Sequence, residues 1–471
     1  MRILPLLLAW SLACSGTMGT PPRGELPSPS PAPSSPPLRL GHHPPNLLLV
    51  IGDDVGVDKV GVYGVQSKGP STPTIDGLAA TGLLFRNAWS YPMCSPTRST
   101  LMTGRHARRT GVGQLINSWA DEHELAESEV TMPEVLSGYD SSLTGKWHLG
   151  SGRTDPKTHA MRQGFDWVAG SMGNLRDNDV GGGKKNLQYD YFHWQKNVNG
   201  RLEESRTYAT TDTVDDAIDR MGAMKEPWLL VVSFNAGHYP VHVPPAKLHH
   251  SKGVTEKSSE ADQFDATLEA MDTELGRLLG AMNGDQRDHT VVVFLGDNGT
   301  PDFGVRPPLD PDRAKGTLFQ GGVHVPLIVS GPGVTHGTTD ALAHTVDILP
   351  TFADLAGARI TTQIDGVSLV PVLSDPSKKV RDFVYAEIFK PNGGPPFDHD
   401  ARTVFDGRYK LVVDARDGTP TERLYDLKDR VEEGPNLLGG RRGRLTPAQT
   451  EALEGLRAED ARLQRDLVFG R

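Results

Sequence analysis

The chain has 471 residues, 37% of them hydrophobic and 23% charged, a composition ordinary for a soluble globular protein and long enough for a large core. Its net charge of −10 argues against nucleic acid as a partner, and an anionic ligand must be held by local basic groups against that field. Of its two cysteines, Cys14 sits in what reads as an export signal, so Cys94 has no evident disulfide partner.

The N-terminus, "MRILPLLLAWSLACSG", carries one arginine and then an apolar run from Ile3 to Ala13. That run is too short to span a bilayer and reads as a secretory signal. Cys14 follows Leu-Ala, which resembles a bacterial lipoprotein box with Ser11 in place of an aliphatic residue; the other reading is a plain signal cut nearby. Residues 15–43 are rich in proline and cannot pack, so they read as a linker holding a domain off a surface. The expectation is an exported protein, periplasmic or at the cell surface, with a possible lipid anchor at Cys14.

From residue 46 the pattern is α/β. "NLLLVIGDD", "WLLVVSFNAGH", "TVVVFLGDNG" and "VPLIVSGPG" read as buried strands of a mostly parallel sheet. "TMPEVLSGY" offers a capping box from Thr131 to Glu134, residues 262–282 have apolar groups at helical spacing, and Asp347 is placed to cap "ILPTFADLAG". Residues 171–205 read as a Gly-rich loop and a hairpin turning at Asn199-Gly200, and Tyr189, Tyr191, Phe192 and Trp194 suit either ring stacking or core packing. Past residue 375, "DFVYAEIF", "YKLVVD" and "ERLYDL" read as short antiparallel strands, followed by a charged helix over 447–463. "KPNGGPPFDHDAR" reads as a loop and a candidate pocket wall. The implied architecture is a large, mostly parallel sheet sandwiched by helices over 44–374, with a small α+β subdomain over 375–471.

Three strands end in groups suited to chemistry. Ligands of open α/β sheets bind beyond the carboxyl ends of the strands, so Asp53-Asp54, His238 and Asp297-Asn298 are placed to meet at one edge. Two acidic pairs offer side-chain oxygens alone, which suits Ca²⁺ or Mg²⁺ rather than zinc. "TGKWHLG" sets Lys146 and His148 on one side of an extended segment; His242 and Lys315 add further polar groups. A cation, histidines and lysines together suit an ester of a strong oxyacid. Arg105, Arg108 and Arg109 of "GRHARRTG" read as an anion-holding cluster or a solvated face.

In "YPMCSPTRSTLMTGR", Ser95 reads as a helix N-cap with Pro96 first in the helix. Cys94 then faces a helix N-terminus, which depresses a thiol pKa and makes a cysteine-histidine hydrolase conceivable. A thiolate, however, fits poorly beside a bivalent metal site built of oxygens.

Cys94-Ser95-Pro96-Thr97-Arg98 followed by "LMTGR" resembles the C-x-P-x-R signature of type I sulfatases, of the alkaline-phosphatase-like superfamily. The resemblance runs over about residues 44–440 and takes in "NLLLVIGDDVG", "TPTIDGLAATGLLFRNAW", "GKWHLG", "GHYP", "GDNG", "KGTLFQGGVHVP" and "LYDLKDRVEEGPNLL" in the family's order. It implies a sulfuric ester hydrolase, arylsulfatase-like, with Cys94 oxidised to Cα-formylglycine by a formylglycine-generating enzyme. The aldehyde hydrates to a gem-diol, the nucleophile that releases alcohol and inorganic sulfate from a sulfated small molecule or carbohydrate. Asp53, Asp54, Asp297 and Asn298, with the oxidised side chain at 94, are implied to hold Ca²⁺, with Mg²⁺ the second candidate. Arg98 is implied to hold the diolate and Lys146 the sulfate and diol. His238 and Lys315 would serve the leaving oxygen, and His148 would act as a base. Thr97, Gly237, Gln320 and His324 depart from the usual pattern; the last two read as structural sites. A phosphonate or phosphate ester hydrolase on the same fold, and an inactive lipoprotein binding sulfated glycans, are the alternatives.

Overall fold

A computed structural model describes residues 44–66, 68–176, 189–415, 419–439 and 445–470. The signal, Cys14 and the proline-rich linker lie outside those residues, as does the 177–188 part of the Gly-rich segment.

One sheet is built from β1 (Asn46–Gly52), β2 (Leu83–Trp89), β3 (Asp140–Gly145), β4 (Trp167–Gly170), β5 (Trp194–Val198), β6 (Arg201–Ser205), β7 (Trp228–Ser233), β8 (Thr290–Gly296), β9 (Leu327–Ser330) and β10 (Gly337–His344). Their order is β10-β2-β9-β8-β1-β7-β3-β4-β5-β6. The central block β8-β1-β7-β3-β4 is parallel, with Leu49 level with Val231 on one side and Val293 on the other. Leu47, Leu49 and Ile51 of β1 join one apolar cluster and Leu48 and Val50 the other, so both faces are covered. That is why the strands read as unbroken apolar runs.

Helices Ala209–Ala223 and Glu260–Ala281 supply one face through Val214, Ala217, Leu268 and Leu275. With α1 taken as Pro73–Thr81, α2 (Cys94–Thr103) belongs to the opposite face, where its Leu101 and Met102 meet Ile348, Leu349 and Phe352. The Thr131–Glu134 capping box forms, and Ser259 caps the helix Glu260–Ala281.

Four local expectations are corrected. β9 runs antiparallel to both β8 and β2. The chain leaves β8 at Gly296 and re-enters opposite Leu295 at Leu327 without crossing the sheet, so the direction reverses. Asp347 stands at the N-cap position of the helix Ile348–Ala356, but its side chain makes no cap bond there, because it closes the capping box of the 3-10 turn at the entry. Its carboxylate accepts from the His344 and Val367 amides and pairs with Arg381. Third, the "DHDAR" end of the anticipated loop is strand: β12 (His399–Phe405) lies between β11 (Val384–Lys390) and β13 (Tyr409–Asp414), with β14 (Thr421–Asp426) beyond, all antiparallel. The helix Pro447–Asp466 packs Leu453, Leu456 and Leu463 on this second sheet, whose other side stacks Phe405 on Trp89 at 5.4 Å. Last, the arginines of "GRHARRTG" are interior ties: Arg108 reaches Glu387 at 2.8 Å and Asp400 at 2.7 Å, Arg109 reaches Asp365 at 2.9 Å, and Arg105 reaches Glu129 at 3.0 Å.

Candidate active site

Parallel pairing brings the carboxyl ends of β8, β1, β7 and β3 side by side, and each strand is followed by polar groups. Asp53 and Asp54 follow β1, Asp297 and Asn298 follow β8, and Lys146 and His148 follow β3. Ser233 closes β7 and His238 lies five residues on. Positive φ at Asp54 (63°) and His148 (62°) marks two sharp turns at this edge, where non-glycine backbone is strained. From the opposite side α2 brings in Cys94 and Arg98. The helix begins at Cys94, with Met93 before it, so Ser95 is not the cap. The Ser95 hydroxyl instead accepts from the Ile116 amide at 3.1 Å. Pro96 still lies within the first turn, where its missing N–H costs nothing.

Asp53, Asp54, Asp297 and Cys94 each offer a ligand atom, all within 4.8 Å of one another, and His238 joins Asp54 and Cys94 in an overlapping group. The Asp53, Asp54, Asp297, Cys94, Arg98, Lys146 and His148 side chains are buried. Lys146 Nζ lies 2.5 Å from Asp53, Lys315 Nζ 2.5 Å from Asp54, and Arg98 donates to Asp297 from Nε at 3.1 Å and NH2 at 2.9 Å. Arg98 NH1 also donates to the Lys146 carbonyl at 2.8 Å and to Ser233 Oγ at 2.5 Å, which locks α2 to the ends of β3 and β7. The Lys315 loop is fixed over this edge by Lys315 N–H to the Thr300 carbonyl and Gly316 N–H to the Pro92 carbonyl, each 2.9 Å.

Burial works against every charge here. Against it, Lys146 and His238 hold Asp53 below the usual carboxylate range, and Lys315 holds Asp54 below it. Asp297 is pushed up by burial and by Asp53 despite Arg98. Lys315 stays charged above the usual lysine range because Asp54 outweighs its burial. Burial, then Lys146 and Arg98, keep His148 neutral. For Cys94 the expected sign reverses: burial and the Asp297 and Asp53 carboxylates push the thiol well up, and Sγ donates to Asp53 Oδ1 at 3.3 Å. Repulsion from two adjacent carboxylates and loss of solvent outweigh the helix N-terminus.

Asn298 Nδ2 donates to Asp54 at 2.8 Å, while its Oδ1 is buried with no hydrogen-bond partner among the described residues. An orphaned amide oxygen beside three carboxylates is a donor set of oxygens that fits a hard divalent cation.

The structure thus gathers Asp53, Asp54, Cys94, Arg98, Lys146, His148, His238, Asp297, Asn298 and Lys315 at one edge. His242 lies apart: it stacks on Tyr191 at 4.0 Å, and its Nε2 accepts from the Tyr208 hydroxyl at 2.9 Å. His324 is structural, its Nε2 lying 2.8 Å from the Arg86 carbonyl. Gln320 is held through its backbone N–H, which donates to Glu433 at 2.8 Å, while its side-chain oxygen is buried with no hydrogen-bond partner among the described residues. Two supporting groups escape a reading of the sequence. Ser233 carries no motif beyond its place at the end of β7. Tyr191 is buried and bonds the Asn235 and His238 carbonyls, so it braces the His238 turn rather than offering a stacking face. Trp194 is likewise core, whereas Phe192 is exposed.

Residues 45–358 match the Sulfatase family model, and residues 314–457 match the model described as N-sulphoglucosamine sulphohydrolase, C-terminal. Human arylsulfatase A is 29% identical over 91% of this chain and 90% of its own length. Human N-acetylgalactosamine-6-sulfatase is 31% identical over 70% of this chain and 66% of its own length. Among solved structures, Ps i-CgsB superposes with a TM-score of 0.74 at 23% identity, covering 91% of this chain and 95% of its own. A protein solved with its substrate D-glucosamine-2-N,6-O-disulfate gives 0.69 at 20% identity, covering 90% and 99%.

Proposed function

This chain belongs to the sulfatase family and is a sulfuric ester hydrolase, and on that premise we propose that the edge formed by β8, β1, β7, β3 and α2 is its active site. We further propose that Asp53, Asp54, Asp297 and Asn298 hold a divalent cation, Ca²⁺ before Mg²⁺, and that Cys94 is converted to formylglycine by a formylglycine-generating enzyme. When present, the metal neutralises sulfate oxygens and the hydrated aldehyde supplies the oxygen nucleophile. The observation that carries this reading is the orphaned Asn298 Oδ1 beside three buried carboxylates and Cys94. Charge balance points the same way. Arg98, Lys146 and Lys315 only cancel Asp53, Asp54 and Asp297, so an anionic ester is drawn in only when two further positive charges are bound.

The remaining roles belong to side chains. Lys146 and Lys315 place two ammonium groups where sulfate oxygens would lie, and Arg98 fixes the orientation of Asp297. His238 Nδ1 donates to the Tyr239 carbonyl at 2.9 Å, which leaves Nε2 for the leaving oxygen. Nε2 can hand over a proton only from the imidazolium, a form that burial, Lys315 and Lys146 disfavour and Asp54 and Asp53 favour. His148, buried and neutral, is ready to accept one. The raised Cys94 thiol makes an unmodified sulfur nucleophile the poorer reading. Residues 1–43 support export, with Cys14 as the anchor; a Cys14→Ala variant that stayed on the membrane would remove the anchor from this account.

Turnover of 4-nitrophenyl sulfate, set against 4-nitrophenyl phosphate, tests the reaction class, and the mass of the peptide carrying residue 94 tests the modification. Sulfate is expected to be the faster substrate and residue 94 to carry the aldehyde. Preferred cleavage of the phosphate, or full activity with an intact thiol, would overturn the reading.

A further inference from the structure

We propose that Arg176 and Tyr239 form a subsite for the leaving group, one that takes a saccharide bearing a second anionic group, a sulfate or a carboxylate, besides the ester being cleaved. The inference rests on the active site proposed above and concerns what is held at its rim.

Tyr239 is next in the chain to His238, which stands among the ligand atoms of Asp54 and Cys94. Its carbonyl accepts the His238 Nδ1 hydrogen at 2.9 Å, so this one residue both orients the proton donor for the leaving oxygen and presents a ring beside it. The ring is 45% exposed, while the aromatic side chains at Tyr91, Tyr191 and Trp194 close to the same edge are fully buried. Arg176 reaches it from the other side of the edge. The segment after β4 runs past the site, with the Trp147 and His148 amides bonded to the Ser171 and Met172 carbonyls at 3.0 Å and 2.8 Å, and carries Arg176. There the guanidinium donates from NH1 to the Tyr239 hydroxyl at 2.9 Å and sits 4.8 Å from the ring centroid.

The charge of Arg176 is what singles the pair out. Arg98, Lys146 and Lys315 each face a carboxylate. Arg176 has no carboxylate partner among the described residues, and its Nε is buried without a hydrogen-bond partner. In a protein of net charge −10, a guanidinium that faces no carboxylate among the described residues, at the mouth of the proposed anion site, supplies local attraction that the pocket cations do not. Its planar fork matches a sulfate or carboxylate through two parallel N–H donors, and an exposed phenol ring gives the apolar face of a pyranose a flat surface. A plain aryl sulfate uses the ring alone; a saccharide with a second anion uses both groups.

The test is competition against 4-nitrophenyl sulfate turnover by D-glucosamine 6-sulfate, D-glucosamine-2-N,6-O-disulfate and a 6-sulfated disaccharide carrying a hexuronate. In the unaltered enzyme the second anion is expected to lower the inhibition constant about tenfold, the effect of roughly one charge-assisted hydrogen-bonding group. Discrimination by the disulfated sugar alone assigns the second anion as sulfate, and discrimination by both assigns either anion. Arg176→Gln is expected to bring the ratio to about one, Arg176→Lys to keep part of it, and Tyr239→Ala to weaken all three competitors alike. Equal constants in the unaltered enzyme, or undiminished discrimination in Arg176→Gln, would overturn the subsite. If no aryl sulfate is cleaved, the active-site reading fails instead, and calorimetric affinities for the same three sugars still decide the subsite.

Discussion

Arg98 is the residue through which the site is most exposed to damage, because its two faces do different work. Nε and NH2 hold the Asp297 carboxylate, while NH1 ties the ends of β3 and β7 together. Arg98→Ala leaves the buried Asp297 without its paired guanidinium and is expected to cost roughly 3–5 kcal/mol in urea unfolding, together with all measurable turnover. Arg98→Lys keeps the charge but not the fork, so most of the stability should return while turnover stays at least about tenfold down. Asn298 gives a second test. If its orphaned Oδ1 awaits a cation, chelation should lower the melting temperature and Ca²⁺ should restore it, about 2.7 kcal/mol at a hundredfold excess over the dissociation constant. Asn298→Leu should abolish that response; a response of the same size in the variant would remove Asn298 from the site. Side chains that carry a reaction announce themselves in sequence by type and position, as the acid pairs at two strand ends did. Side chains that brace them do not: Ser233 and Tyr191 act through single hydrogen bonds set by tertiary placement. The direction of the shift at the Cys94 thiol is hidden from the sequence for the same reason, since burial and then the Asp297 and Asp53 carboxylates, which together raise it, come from tertiary placement.

Strands make this edge precise through glycines. Gly145 ends β3 at φ 90°, and a Cβ there would lie 1.9 Å from the Ser233 carbonyl of β7. Gly145→Ala therefore forces the two strands apart just before Lys146. We expect a loss of about 3 kcal/mol or more in unfolding experiments and a loss of turnover that exceeds it in proportion. A variant of unchanged stability would show that β3 and β7 are not held so closely. Runs such as "NLLLVIG" and "TVVVFLG" make β1 and β8 legible in the sequence, because burial on both faces demands unbroken apolar residues. The direction of β9 could not be read in that way. Its apolar run is the same in either sense, and the path of residues 297–326 decides it. β12 was hidden because "HDAR" is polar, its backbone pairing supplied by β11 and β13 rather than by its own pattern.

At the scale of the whole molecule, stability should fall toward mild acid. Burial pushes His106 down to about 4 despite Asp365, and His242 down to about 4 despite the bond to the Pro240 carbonyl. Both are neutral in the fold, so their contribution is complete above the unfolded value of 6.5 and is lost as pH falls from there toward 4. Each contributes a slope of up to about 1.4 kcal/mol per pH unit in that window. Urea midpoints at pH 7 and pH 5 should therefore differ clearly, and equal midpoints would mean that one or both rings are already protonated in the native state. Burial has a second consequence, in time rather than energy. Every residue of α2 is buried, from Cys94 to Thr103. If Cys94 is oxidised as proposed, a modifying enzyme could reach it only before β8 and the Lys315 loop have closed over it. On the proposed oxidation, modification would race against folding, and a molecule that folds first with its thiol intact is expected to remain inactive however much modifying enzyme is added afterwards.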